Sequence, residues 1–207
     1  QMCIRDSPKS CTVDRVIDAL YEINGAYALV GIANDKLIGV RDPLGIRPLV
    51  LGKMNESYIF ASETCALDII GAKFVREVEN GEVVVISADG IKSYKPFPKK
   101  PERPCIIEYI YFARPDSIVG GKSIYECRKG FGRELAPESN VGADMVIPIP
   151  DSGVPSAIGY AEQAGIPFEL GITRNHYVGR TFIQPKQSIR SFGCLLYTSP
   201  SPRDALE

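Results

Sequence analysis

Asp151, Ser152 and Gly153 stand between the apolar run MVIPIP and the segment SAIGYAEQAG, which has the composition of a helix. In an open α/β sheet, ligands bind where a strand ends and the following helix presents unpaired amide groups and the positive end of its dipole. The three residues therefore predict a site for an anion or a metal-bound phosphate. A tight turn that caps the helix is the alternative, and it stays open because the same residue types serve both purposes.

The segment RNHYVGRTFIQP, residues 174–185, combines basic and aromatic side chains with a single glycine. It is either a surface loop or a moving part of an active site. His176 could act as an acid or a base, but no neighbouring residue identifies a partner that would orient it. An exposed polar histidine is therefore the default interpretation.

Arg114 and three cysteines are the remaining candidates for chemistry. Arg114 precedes a proline and is held extended, so it faces a phosphate or pairs with a carboxylate, and the sequence favours a structural ion pair. Cys65 and Cys127 lie in helical patterns and are interpreted as small core residues. Cys105 follows a proline-rich stretch and is well placed for a ligand shared between two domains, although one cysteine does not make a site.

The composition is that of an ordinary globular chain. The 207 residues are 44% hydrophobic and 24% charged, with a formal net charge of −1 and no tryptophan. This charge balance has no basic excess of the kind that favours nucleic-acid binding. No apolar run is long enough to span a bilayer. Six cysteines without a CxxC pair, and no signal-peptide pattern before them, predict a reducing, cytoplasmic setting.

The elements that must position these residues change character along the chain. TVDRVIDALYEIN has apolar residues at helical spacing, and short β-rich runs with turn residues between them follow to about residue 95. We expect these runs to pair antiparallel, interrupted by the short helix TCALDIIGA. After KPFPKKPERP, the β-like run IIEYIYF, a helix, the buried-looking strand MVIPIP, a second helix and the strand FELGIT predict a parallel α/β sheet.

The predicted organisation is thus α+β followed by α/β, with domains over residues 12–97 and 98–193. QMCIRDS at one end and CLLYTSPSPRDALE at the other share no periodicity with their neighbours and resemble translated sequencing-adapter remnants. Residues 1–11 and 194–207 are therefore expected to be non-native or disordered. The chain is expected to be an internal fragment of a longer protein.

Five segments in one order resemble the glutamine phosphoribosylpyrophosphate amidotransferase family: RDPLGIRPLVLG, YIFASETCALD, CIIEYIYFARPDS, PIPDSG and NHYVGRTFIQP. The resemblance spans about residues 12–193. It implies the later half of an N-terminal-nucleophile glutaminase sandwich, then the earlier half of a type I phosphoribosyltransferase parallel sheet. Members convert phosphoribosylpyrophosphate, glutamine and water to 5-phosphoribosylamine, pyrophosphate and glutamate in the first step of purine synthesis.

The resemblance also implies roles for the candidate residues. The Asp151–Gly153 loop would lie against the pyrophosphate and Mg²⁺. Relatives often place a serine at Gly153, so only the backbone amides carry over. Tyr177, Gly179 and Arg180 would close over the bound substrate, while Phe182 and Ile183 would line a dry passage for ammonia. Cys105 coincides with the first of four cysteines that hold a [4Fe-4S] cluster in many members.

Other parts that the family needs do not match residues of this chain. The glutaminase nucleophile would lie before Thr12, and no two acidic residues are adjacent from Ile91 to Glu207, where the family has an acidic pair ahead of its phosphate loop. The fragment alone is therefore expected to be inactive. The implied partners are phosphoribosylpyrophosphate, glutamine and inhibitory purine nucleotides, with a homotetramer as the assembly. The alternative is a non-catalytic scaffold that binds a nucleotide or ribose phosphate.

Overall fold

The computed structural model describes residues 8–9, 11–173 and 185–189. The helices are α1 (Thr12–Tyr21), α2 (Thr64–Ile69), α3 (Ile124–Glu138) and α4 (Val154–Ala164). The strands are β1 (Ala28–Ala33), β2 (Lys36–Arg41), β3 (Val50–Met54), β4 (Ser57–Ala61), β5 (Lys73–Glu77), β6 (Val83–Ser87), β7 (Gly90–Tyr94), β8 (Ile118–Val119) and β9 (Lys122–Ser123). A single π-helical turn covers Glu108–Phe112.

The strands form antiparallel sheets, and the fold is α+β. The first sheet has the order β1-β2-β6-β7 and the second has the order β4-β3-β5, while β8 and β9 form a two-stranded ribbon. The hairpin turns follow from the sequence, because Asn34 and Asn55 adopt the left-handed φ values of 55° and 53° that asparagine tolerates well. No helix in the described part of the chain is long and apolar enough to cross a membrane.

The two large sheets pack face to face between helices. Val83 of β6 is fully buried in a cluster with Leu20 of α1, on the outer face of the first sheet. Its neighbour Val84 points to the opposite face, where Phe60 of β4 packs against its cluster. On the far side of the second sheet, Leu67 of α2 fills a third cluster. The layers therefore run α1, first sheet, second sheet, α2.

A buried ion pair connects the two sheets. Glu82, only 1% exposed, receives a bidentate pair of hydrogen bonds from Arg76, each 2.7 Å long. The hydroxyl of Ser93 and the backbone N–H of Glu79 also donate to its carboxylate. Burial alone would raise the pKa of Glu82, but these donors outweigh it and hold the pKa below the ordinary value of a glutamate.

The expected elements differ from the structure in several places. FELGIT, predicted to be a strand, pairs only at Phe168 through one isolated bridge, and the β8–β9 ribbon was not predicted. The strand β5 was not predicted, because its charged residues in KFVRE mask the alternation. The run IIEYIYF, predicted to be β-like, forms the π-helical turn instead. The run MVIPIP, predicted to be a buried strand, pairs only through one parallel bridge between Val146 and Phe168, and Ile149 is 71% exposed.

The helices α3 and α4 approach each other at two glycines. A β-carbon at Gly132 of α3 would lie 1.9 Å from the carbonyl oxygen of Ser156, and one at Gly159 of α4 would lie 1.9 Å from that of Lys129. Both distances are far below van der Waals contact. The crossing of the two helices therefore requires glycine at both positions.

Gly132→Ala should loosen this crossing, because the new methyl group must push one helix backbone away from the other. Overpacking of this kind costs about 1 to 3 kcal/mol of unfolding free energy, measurable by urea titration. Gly130→Ala is the matched control on the same helix, since nothing lies within 4 Å of a β-carbon there. The control should be neutral or slightly stabilising. Equal effects of the two variants would contradict the close packing.

Glu82→Gln should remove much of the link between the sheets. We expect a loss of about 2 kcal/mol at neutral pH, less than the full penalty for breaking a buried pair, because Arg76 stays partly exposed. The depressed pKa means that the carboxylate contributes stability above the pKa of an unfolded glutamate and loses it as the pH falls through the folded pKa.

The free energies of unfolding of the native and Glu82→Gln chains should therefore converge on acidification below about pH 4. Urea titrations at a series of pH values would measure this. Glu56→Gln serves as the control, because the Glu56 side chain is 98% exposed. A difference that stayed constant down to about pH 3 would contradict the assignment.

Candidate functional site

The predicted site loop lies immediately before α4. Gly153 is the N-cap residue, and Pro155 stands in the first turn of the helix. The N–H of Gly153 donates to the carbonyl of Ile149 at 3.2 Å, and the N–H of Val154 donates to that of Asp151 at 3.4 Å. The peptide bond between Pro150 and Asp151 is cis. Asp151, Ser152 and Gly153 thus form one turn that leads into the positive end of a helix.

Gly153 leaves no room for a side chain in this chain. A β-carbon at this position would lie 2.7 Å from the carbonyl oxygen of Ile149, which is backbone and cannot rotate away. A serine here would need a shift of the turn. Any metal or phosphate contact at this position would therefore come from the backbone.

The helix pair positions the loop. The hydroxyl of Ser156, in the first turn of α4, donates to the carbonyl of Arg128 in α3 at 3.1 Å. The Arg128 guanidinium is itself buried and donates to the carbonyl oxygens of Tyr109 and Ala113, both at 2.7 Å. Burial lowers the pKa of Arg128 below its usual value. The loop is thus anchored through α3 to the chain around the π-helical turn.

The motif RDPLGIRP forms a turn around two buried charged side chains. The fully buried Asp42 carboxylate accepts hydrogen bonds from the backbone N–H groups of Leu44, Ile46 and Arg47 at 3.0 to 3.1 Å. The neighbouring Arg41 guanidinium donates to three backbone carbonyls and lies 3.4 Å from Glu77. Each charge is therefore neutralised by backbone dipoles inside the fold.

Cys105 lies beside this turn. Its backbone N–H donates to the carbonyl of Ile46, and its partly exposed side chain lines a water-sized void of about 10 Å³ together with Tyr109 and Glu108. Glu108 pairs with Arg47 at 2.6 Å. Burial raises the pKa of Glu108, and the nearby guanidinium partly offsets that rise.

The described residues differ in how well they suit the two expected inorganic groups. Among residues 8–9, 11–173 and 185–189, no three His, Cys, Asp or Glu side chains lie close enough to hold a metal ion. A [4Fe-4S] cluster takes four cysteines, so these residues do not fit one at Cys105. Mg²⁺ commonly binds through one or two carboxylates and the phosphates of its substrate, which a loop with the carboxylate of Asp151 fits.

The other sequence-based candidates divide into two groups. Arg114 forms an ion pair with Asp116 at 2.9 Å, which confirms the structural interpretation. Cys65 is buried as predicted, whereas Cys127 is only partly buried. Five residues predicted to close the site or to carry ammonia lie outside the described part of the chain, as does the histidine: Tyr177, Gly179, Arg180, Phe182, Ile183 and His176.

Four polar side chains were not identified from the sequence: Glu63, Thr64 and Glu77, which bond across the two halves, and Arg128, which is bonded within the second half. Each makes hydrogen bonds to residues well separated in sequence. Their sequence surroundings give no signal, since Glu77 and Arg128 lie among other charged residues and nothing nearby identifies a partner.

Comparison with known proteins matches residues 9–68 to the glutamine amidotransferase domain family. The chain is 57% identical over 198 residues to the amidophosphoribosyltransferase of Rhizobium etli, covering 93% of the chain and 40% of the relative. It is 54% identical to the chloroplastic amidophosphoribosyltransferase 1 of Arabidopsis thaliana, covering 90% of the chain and 33% of the relative.

Solved structures agree with these relatives. The structure of an allosteric regulatory enzyme of purine biosynthesis matches with a TM-score of 0.84 and 45% identity, over 93% of this chain and 41% of that one. The glutamine phosphoribosylpyrophosphate amidotransferase of B. subtilis, in complex with ADP and GMP, matches with a TM-score of 0.83 and 46% identity, over 92% and 42% of the two chains. The chain thus spans between about one third and two fifths of the length of these relatives. Along the part that it shares with them, the chain is similar in sequence and in fold to amidophosphoribosyltransferases.

Proposed function

We propose that the chain forms part of a glutamine-dependent phosphoribosyltransferase that makes 5-phosphoribosylamine from phosphoribosylpyrophosphate, glutamine and water. The observation that carries the proposal is the high identity to amidophosphoribosyltransferases across both predicted halves, together with a fold that superimposes on a B. subtilis member. Pyrophosphate and glutamate are the other products. The reaction would supply the first intermediate of purine synthesis.

The proposed division of labour follows the two halves of the chain. Residues 12–97 would belong to the glutaminase domain, in agreement with the antiparallel sandwich and with the match to a glutamine amidotransferase domain. Residues 98–193 would belong to a type I phosphoribosyltransferase domain. The parallel bridge between Val146 and Phe168, on either side of α4, supports a strand–helix–strand unit there.

The loop of Asp151, Ser152 and Gly153 would hold the pyrophosphate group of the substrate. The positive end of the α4 dipole favours an anion at this loop. The Asp151 carboxylate would bind the Mg²⁺ that neutralises the departing pyrophosphate. Stabilisation of this leaving group lowers the barrier for the attack of ammonia on the ribose carbon.

The segment after the described α4 region would close the site. Tyr177 would contact the substrate, Gly179 would permit the bend, and Arg180 would face the charge of the departing pyrophosphate. Phe182 and Ile183 would line an apolar passage, since ammonia that escaped to water would be protonated and lost as a nucleophile. These roles rest on the resemblance of the segment to the family.

The remaining expectations concern partners and setting. Purine nucleotides are proposed as inhibitors, supported by the B. subtilis relative in complex with ADP and GMP. A homotetramer and a cytoplasmic location are proposed from the family and the cysteine usage, although several relatives are chloroplastic. A [4Fe-4S] cluster with Cys105 as one ligand is proposed only for a longer parent protein, because its other three cysteines would have to lie outside the described residues.

Replacement of the loop carboxylate should weaken anion binding by this chain. Asp151→Asn should lower the affinity for magnesium pyrophosphate about ten-fold, in the range of one lost interaction with a charged group. Isothermal titration calorimetry in the presence and absence of Mg²⁺ would measure this. Asp144→Asn, an exposed acidic residue seven positions earlier, is the control and should bind like the native chain. A loss common to both variants would argue against a site at the loop.

A chimera would distinguish the enzyme from a scaffold that only binds. Residues 12–193 of this chain would replace the aligned region of the Rhizobium etli relative. We expect glutamate formation that depends on both glutamine and phosphoribosylpyrophosphate. A chimera that retains the circular dichroism of the relative and binds magnesium pyrophosphate, yet forms no glutamate, would support the non-catalytic scaffold instead.

A further inference from the structure

One turn in the second half of the chain is held by side chains from the first half. The turn covers residues 114–120, and we call it the held turn. Its donors face three acceptor side chains, Glu63, Thr64 and Glu77, which we call the clasp. The partners lie between 43 and 54 positions apart in sequence. No local secondary structure therefore explains the contact.

Glu63 is the centre of the clasp. A single carboxylate oxygen, Oε2, accepts from the backbone N–H of Arg114 and from the hydroxyl of Ser117, both at 2.8 Å. Ser117 is only 1% exposed, so its hydroxyl needs this acceptor. The guanidinium of Arg114 pairs with Asp116 instead. Glu63 thus contacts the backbone and a buried hydroxyl of the held turn, and its contacts depend on the position of that turn.

Thr64 and Glu77 accept the other two hydrogen bonds from the held turn. The hydroxyl oxygen of Thr64 accepts from the backbone N–H of Ile118 at 2.9 Å, and Oε1 of Glu77 accepts from that of Gly120 at 2.7 Å. Because Thr64 begins α2 and Glu77 ends β5, the clasp is built from the second sheet and from the helix that packs on it. Four hydrogen bonds to three acceptor side chains thus hold the held turn in place.

The held turn in turn fixes the start of α3. The first backbone N–H groups of α3, on Ile124 and Tyr125, donate to the carbonyls of Ser117 and Pro115, both at 3.0 Å. Four N–H groups at a helix start have no partner within the helix, so these carbonyls stabilise the start of α3 where it stands. A displaced turn would carry the helix with it.

From α3 the contacts reach the site loop. The helix crosses α4 at Gly132 and Gly159 without space for adjustment, and Ser156 of α4 is bonded to the backbone of α3. The helix α4 begins directly after Gly153. The path from Glu63 to the loop therefore consists of backbone and short side-chain contacts throughout.

We propose that Glu63 is a positioning residue for the Asp151–Gly153 loop, acting through the held turn and the α3–α4 pair. Its carboxylate links the glutaminase half to the placement of the phosphoribosyl site. The part of this inference that concerns ligand affinity rests on the proposed function. The part that concerns placement of the loop does not.

The test compares three variants of the full chain. Glu63→Ala removes the contacts with Arg114 and Ser117, and also a weaker one from the Cys65 thiol at 3.7 Å, whereas Glu63→Gln keeps a carbonyl oxygen that can accept them. Val84→Ala, in the core between the sheets and outside the clasp, supplies a destabilised reference. The readouts are amide hydrogen exchange and calorimetric affinity for magnesium pyrophosphate. Comparison at equal distance below each melting temperature corrects for general loss of stability.

Glu63→Ala should lose exchange protection at Arg114 and Ile118 and also at Ala157, whose N–H closes the first turn of α4 on Gly153. Its affinity for magnesium pyrophosphate should fall about ten-fold, while Glu63→Gln should recover most of both losses. Val84→Ala should retain the affinity. A loss of affinity in Val84→Ala equal to that in Glu63→Ala would overturn the proposal, because the role of Glu63 would then be general stability.

The exchange data separate this proposal from the function proposed above. If the native chain binds no pyrophosphate, the proposed function of the loop fails while the exchange readout still decides the role of Glu63. Loss of protection that extends from the held turn to Ala157 would support the positioning role. Loss confined to residues 114–120 would overturn it.

Discussion

The fold depends on the burial of two adjacent opposite charges, Arg41 and Asp42, at the end of β2. Neither is neutralised mainly by the other. Asp42 accepts hydrogen bonds from three backbone N–H groups, and Arg41 donates to three backbone carbonyls. Each charge thus organises the backbone around itself. In the turn formed in this way, the carbonyls of Leu44 and Ile46 accept hydrogen bonds from the backbone N–H groups of Arg103 and Cys105. The start of the second half is thus bonded to the turn that these two buried charges organise.

A similar arrangement recurs within the second half, at Arg128, and between the halves, at Glu63. Arg128 is buried against carbonyl oxygens, and Glu63 receives a backbone amide and a hydroxyl. Charged side chains bonded to backbone groups are directional, whereas apolar contacts are not, so they specify an orientation between layers as well as an attraction. Apolar clusters build each layer, and polar contacts set how the layers are arranged. This division suits a chain whose two halves are predicted to carry different reactions and must keep one relative orientation.

Sequence reasoning identified the parts that local chemistry determines. Most strands, the helices α3 and α4, and the loop at Asp151 were predicted from turn residues and periodicity. The strand β5 was missed because its pairing with β3 comes from the sheet and not from its own pattern. The residues at Glu108–Phe112 have the composition of a strand, but a buried Glu108 and the carbonyls bonded to Arg128 favour a helical turn. The clasp could not be predicted, since its contacts join distant segments.

The clasp also has a consequence for which residues can vary in related chains. Its acceptors are side chains, whereas all but one of its donors are backbone amides. Exposed side chains along residues 114–120 can therefore change without loss of these contacts. The exceptions are Ser117, the buried Val119 and Gly120, whose φ of 58° is left-handed, together with proline at the donor positions, which would remove the N–H. Glu63, Thr64 and Glu77 have no such freedom. Among related chains, we therefore expect more substitutions in the held turn than in the three residues of the clasp.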